Sequence, residues 1–116
     1  MGKYQKAATY NKLVRDKIPK IIEENDDVKV VTRALSQQEL ADELKKKIIE
    51  EVNEFNAAES KEDMIVELAD IREIEISLMK ELRIDEEIVE KVRLERRKKR
   101  GGFDEGVYLI ETREKN

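Results

Sequence analysis

The sequence predicts a mainly helical fold built on a long antiparallel helix hairpin. Three observations predict it. Two segments, about 36–57 and 60–82, place apolar residues every three or four positions. Each opens on a serine followed three residues later by an acidic residue, a pattern that marks a helix N-terminus. Charged residues make up 45% of the 116-residue chain and aromatics only 4%. With such long apolar-periodic segments, that balance describes charged-faced helices rather than disorder.

Taken in order, residues 1–9 are polar and read as loose. Asp16 is the expected N-cap of a short helix, about Lys17 to Glu24. Pro19 fits its first turn because it has no N–H to donate. Ile18, Ile21 and Ile22 form its apolar side, and Asn25, Asp26 and Asp27 end it. Residues 28–32 are rich in β-branched side chains and read as a short strand or extended segment. Ser36 and Glu39 form a capping box that starts a helix reaching about Ala57. Its stripe is Leu40, Leu44, Ile48, Val52 and Phe55. Ser60 and Asp63 cap the next helix, which runs to about Leu82 on Met64, Leu68, Ile71, Ile74, Leu78 and Leu82. Asp85 caps a further helix through Ile88, Val92 and Leu94 to about Arg100, where Gly101 and Gly102 stop it. Residues 107–111 read as a terminal strand, giving one small β pairing of about 28–32 with 107–111.

The length suits one small domain, 1–116, with a thin core, so two or four copies are expected to pack together. A formal net charge of −4 does not describe a nucleic-acid-binding chain. The positive charge is nonetheless uneven, because Arg93 to Arg100 carries six basic residues and one acidic one. There is no cysteine and no histidine. That removes disulfides, thiolate metal sites and the commonest general base, so any metal site must be built from oxygen. No apolar run approaches the roughly 20 residues of a membrane span. The opening Met1 to Lys6 lacks the apolar core of a signal peptide, so a cytoplasmic protein is the expectation.

The chemistry is expected on the hairpin. Glu50, Glu51 and Glu54 project from one side of the first long helix, with Lys47 on the same strip. Glu51 falls among Leu44, Ile48 and Phe55, inside the apolar stripe, where a carboxylate is partly buried and needs a partner. Glu67 and Asp70 lie three apart on the second helix and flank Met64, Ile71 and Ile74, so they face inward too. Convergent carboxylates repel one another, and Mg²⁺, with its preference for oxygen ligands, is the usual remedy. Neutralisation by Lys47 or a neighbouring arginine, as buried ion pairs, is the structural alternative.

Glu50, Glu51 and Glu54, then 12 residues, then Glu67 and Asp70, resemble the Glu-Glu-x-x-Glu … Glu-x-x-Asp signature of the all-α nucleotide pyrophosphohydrolases. That superfamily includes the MazG proteins, phosphoribosyl-ATP pyrophosphohydrolase and the dimeric dUTPases. The stretch Tyr10 to Pro19, Lys47 before the acidic cluster and Arg100 to Phe103 resemble the MazG-like group, so the likeness spans Tyr10 to Ile110.

The resemblance implies an enzyme of the all-α NTP pyrophosphatase fold. Its reaction would be Mg²⁺-dependent, or Mn²⁺-dependent, hydrolysis of a nucleoside triphosphate or related nucleotide to monophosphate and pyrophosphate, of a house-cleaning kind. It places metal ligands at Glu51, Glu54, Glu67 and Asp70, with Glu50 as a further candidate. Glu50 or Glu51 would accept a proton from water. Lys47, Lys98, Lys99 and Arg100 would contact phosphate, although the basic run also reads as a helix end complementing its own dipole. Arg15, Asp16 and Lys17 read either as a helix cap with solvated charge or as groups near the substrate. The alternatives are a phosphoribosyl-ATP pyrophosphohydrolase of histidine synthesis and a non-enzymatic helical oligomerisation or regulatory module.

Overall fold

Four helices follow one another in a computed structural model that describes Tyr4 and residues 8–116: α1 (Ile18–Asn25), α2 (Gln37–Ala57), α3 (Lys61–Glu81) and α4 (Glu86–Arg100). The expectation that residues 1–9 are loose falls mostly outside the described residues. Of those described, Tyr4 meets Tyr10 edge to face, with ring centroids 5.4 Å apart.

The long helices begin where their caps predict. Ser36 accepts the Glu39 N–H, and the Glu39 carboxylate accepts the Ser36 N–H, so the capping box is complete. Ser60 accepts the Asp63 N–H at the start of α3, and Asp85 accepts the Glu87 N–H at the start of α4. Asp16 does not cap α1. The N-cap is Lys17, without a side-chain bond, because the Ile18 N–H already donates to the Arg15 carbonyl at 3.0 Å and closes the entry turn through backbone alone. Pro19 sits in the first turn of α1 as expected.

The chain divides into two compact units, Met1–Arg83 and Ile84–Asn116. In the first, α2 and α3 pack together as a hairpin across the connection Ala58–Ser60. Gln37 at the head of α2 donates its side-chain amide to the Glu81 carbonyl at the foot of α3, 3.0 Å away. Glu51 in the middle of α2 meets Glu67 and Asp70 of α3. Each helix start therefore lies beside the other's end, and the pair is antiparallel. Ile22, Ala41, Leu44 and Ile74 are the buried apolar residues. Val52 and Leu68, expected on the inner stripes, are instead exposed, as are Ile21 and Leu82. The apolar stripe is wider than the face that one neighbouring helix covers. An outer row of Ile65, Leu68 and Ile76 on α3 also remains uncovered.

In the second unit every residue is exposed. Arg97, Lys98, Lys99 and Arg100 form the last turn of α4, where cations suit the carbonyl end of the helix. Gly101 stops the helix with φ +84°, a conformation that other residues rarely adopt. Its N–H donates to the Arg97 carbonyl, and the Arg97 side chain turns to Asp104 at 3.0 Å.

The expected β pairing is not formed, because no strand occurs among the described residues. Val31 is 91% exposed, and Val107, Tyr108, Leu109 and Ile110 are all exposed. A β-branched run becomes a strand only when its backbone N–H and C=O groups find a ladder partner, which neither segment has here. No described helix is long and apolar enough to cross a membrane.

Candidate metal centre

The α2 helix presents Glu50, Glu51 and Glu54 within about one turn, and the antiparallel register sets them against Glu67 and Asp70 of α3. Two triads result. One carboxylate oxygen from each of Glu50, Glu51 and Glu54 lies within 4.8 Å of the others, and the same holds for Glu51, Glu67 and Asp70. Glu51 belongs to both, so it is the centre of the cluster. It is also the buried charged residue of the described chain, only 7% exposed, while Glu67 and Asp70 are half-buried and Glu50 and Glu54 exposed.

The burial follows from sequence position. Glu51 shares the inner side of α2 with Leu44 and the half-buried Ile48 and Phe55. The Oε2 atoms of Glu51 and of Glu67 are both buried and accept no hydrogen bond from any group other than the carboxyls themselves. Burial pushes the Glu51 carboxyl up to about 8. A hydrogen bond shared with Glu67 and the negative charges of Glu54, Glu67 and Asp70 act in the same direction. The Glu51 carboxyl therefore holds its proton to higher pH than an ordinary carboxylic acid.

Internal cations answer only part of this charge. Arg15 donates from Nη2 to Asp70 Oδ1 at 2.6 Å, and Lys47 Nζ stands 3.9 Å from Glu50 Oε1. Neither reaches Glu51 or Glu67, whose buried oxygens are the orphaned ones. The expectation that lysine or arginine neutralises the whole cluster thus accounts for its two flanks and not for its centre. An oxygen-only donor set with two unsatisfied buried oxygens fits a hard divalent cation such as Mg²⁺ or Mn²⁺.

No protein-family model, curated protein or solved structure matches this chain. The site therefore stands on its own geometry.

Of the residues singled out in the sequence, Glu50, Glu51, Glu54, Glu67, Asp70 and Lys47 come together on the hairpin. Lys98, Lys99 and Arg100 are exposed in the last turn of α4, in the other unit. Arg15 is the residue whose place the sequence left open. It comes from the irregular segment before α1, 55 positions from Asp70, and the structure puts it on a carboxylate of the cluster. The signal for it was its place beside Asp16 and Lys17 in the stretch Tyr10 to Pro19. Helical periodicity carries no information about such a contact.

Proposed function

We propose that this chain is a Mg²⁺-dependent nucleotide pyrophosphohydrolase, hydrolysing a nucleoside triphosphate or related nucleotide to monophosphate and pyrophosphate. The observation that carries the reading is Glu51: a buried carboxylate shared by two acidic triads, whose Oε2 faces no cation or amide donor of the chain but only a fellow acid, Glu67. The resemblance of the acidic spacing and of Tyr10 to Pro19 to the MazG-like, all-α NTP pyrophosphatases supplies the reaction class.

Glu51, Glu67 and Asp70 would hold a cation, and Glu54, with Glu50, would complete the second triad around Glu51. Bound there, Mg²⁺ supplies neutralisation of phosphate charge and a water acidic enough to attack phosphorus. On the proposed reading, exposure divides the labour between Glu50 and Glu51. Glu51 is buried and acts as a ligand. Glu50 is exposed, stays in contact with solvent, and takes the proton released by the attacking water. Lys47, only 20% exposed and beside Glu50, offers a positive charge to the departing pyrophosphate.

Support for self-association comes from the uncovered apolar row on α3 and from the small buried apolar set, four residues among those described. Two or four copies packing through such faces would leave the acidic cluster as the polar feature of each hairpin.

The test is release of pyrophosphate from a broad panel of nucleotides with and without Mg²⁺. Metal-dependent release from at least one member is expected. Glu67→Gln, which removes a ligand charge at a half-buried position, should lower turnover by at least about 100-fold while leaving the far-UV circular dichroism unchanged. Absence of release across the panel, together with a melting temperature indifferent to Mg²⁺ and Mn²⁺, would favour the non-enzymatic helical module instead.

A further inference from the structure

We propose that Arg15 is the anion-binding arm of the acidic centre: it competes with a cation for Asp70, and a cation on Asp70 releases it to substrate phosphate. The proposal rests on the metal-centre reading above and adds to it a residue and an order of events.

Four features of the structure point there. The guanidinium Nη2 lies 2.6 Å from Asp70 Oδ1, and Asp70 is one of the carboxylates gathered around buried Glu51. A charge-assisted contact of this length stabilises Asp70 only as long as the carboxylate keeps its full negative charge. The Arg15 side chain is itself 59% exposed, so it is open to a ligand arriving from solvent. It stands on the irregular segment preceding α1 rather than on a helix of the hairpin, so it can change partner without disturbing the packing of α2 on α3. Finally, guanidinium presents donors in a planar fork that matches carboxylate and phosphate equally well.

Competition follows from the charges. A divalent cation on Glu51, Glu67 and Asp70 weakens the attraction between Asp70 and Arg15, and Arg15 in turn repels the cation. A polyphosphate arriving at the metal carries more negative charge than the shielded Asp70. Arg15 is then better placed on phosphate than on Asp70. Its contribution thus has opposite signs for the two ligands: it opposes the cation alone and favours the anion that follows. A residue that merely held the fold together would weaken both when removed.

The experiment compares the full-length protein with Arg15→Ala and Arg15→Lys. Mn²⁺ alone is titrated by the loss of its free electron paramagnetic resonance signal. Inorganic pyrophosphate, a probe independent of base identity, is then titrated at saturating Mn²⁺ by displacement of a fluorescent nucleotide. Arg15→Ala should bind Mn²⁺ about two- to fivefold more tightly, the range set by losing a part-exposed ion pair. It should bind pyrophosphate about tenfold or more weakly, the range for losing a hydrogen bond to a charged group. Arg15→Lys keeps the charge and loses the fork, so it should fall between the two for pyrophosphate. Unchanged or weaker Mn²⁺ binding in Arg15→Ala, or unchanged pyrophosphate binding, overturns the proposal while leaving the metal centre standing. A wild-type protein that binds no Mn²⁺ overturns the metal centre itself, and the anion-binding arm with it.

Discussion

Replacing Glu51 by glutamine should make the metal-free protein more stable, and by an amount that grows with pH. In the folded chain the Glu51 carboxyl is pushed from the ordinary 4.5 up to about 8, first by burial and then by the neighbouring acids. The unfolded chain ionises this group above pH 4.5, while the folded chain keeps it protonated until about pH 8. Stability is therefore lost progressively as pH rises through that window, and the loss levels off above it. Each unit corresponds to about 1.4 kcal/mol. The penalty is then about 1 kcal/mol at pH 5 and about 3 kcal/mol at pH 7.

Glutamine has the size of the protonated acid, carries no proton to lose, and can donate its amide N–H to the orphaned Oε2 of Glu67. Thermal unfolding followed at 222 nm in chelator, at pH 5, 6, 7 and 8, reads the difference directly. For a domain of this size, 3 kcal/mol at pH 7 corresponds to a rise on the order of 10–20 °C. With Mg²⁺ present the order should reverse, because a cation binds the ionised wild-type carboxylate and stabilises only the state that holds it. Parallel pH profiles for the two proteins, or a glutamine variant less stable at pH 8, would refute the claim that Glu51 is a buried, mutually repelled acid.

Two further substitutions test the scaffold. Ser36→Ala removes one half of the capping box at the head of α2 and should lower stability by about 1 kcal/mol, measured by urea unfolding, without changing metal affinity. Leu44→Ala empties a position only 6% exposed beside the cluster; it should cost about 2–5 kcal/mol in the same assay and lower metal affinity as well, because Leu44 backs the α2 face that carries Glu51.

What could be read from the sequence is what is local. Ser36, Ser60 and Asp85 each satisfy an N–H two or three residues on, so a few adjacent residues suffice to locate all three helix starts. The same logic misplaced the cap of α1 at Asp16, because the backbone there had a competing partner of its own. The inward position of Glu51 was legible from Leu44, Ile48 and Phe55 around it, and the hairpin followed from two long helices with a short break. The strands were not legible in the same sense. Residues 28–32 and 107–111 have the composition, but a ladder is a property of two segments and not of either one. The Arg15–Asp70 contact likewise joins segments that no periodicity relates. Exposure separated Glu50 from Glu51, which adjacent positions in a charged run could not do.

The placement of Glu51 also explains why the site and the fold cannot be optimised independently. The buried apolar set is small, and one of the few well-covered positions of the first unit is given to a carboxylate. A leucine there would add apolar burial of roughly 1.5–3 kcal/mol and remove the ionisation penalty. The hairpin would then be more stable and would have no shared ligand between its two triads. Keeping an acid at this position makes sense only if something returns the lost stability in the working state. On the proposed reading a divalent cation would do so in proportion to its affinity, which would make cation loading and the tightness of α2 against α3 two readings of one equilibrium. Arg15 on Asp70 moderates the same conflict from the flank, where it relieves part of the repulsion among the carboxylates; on the proposed reading its exposure would leave it free to move when a cation binds.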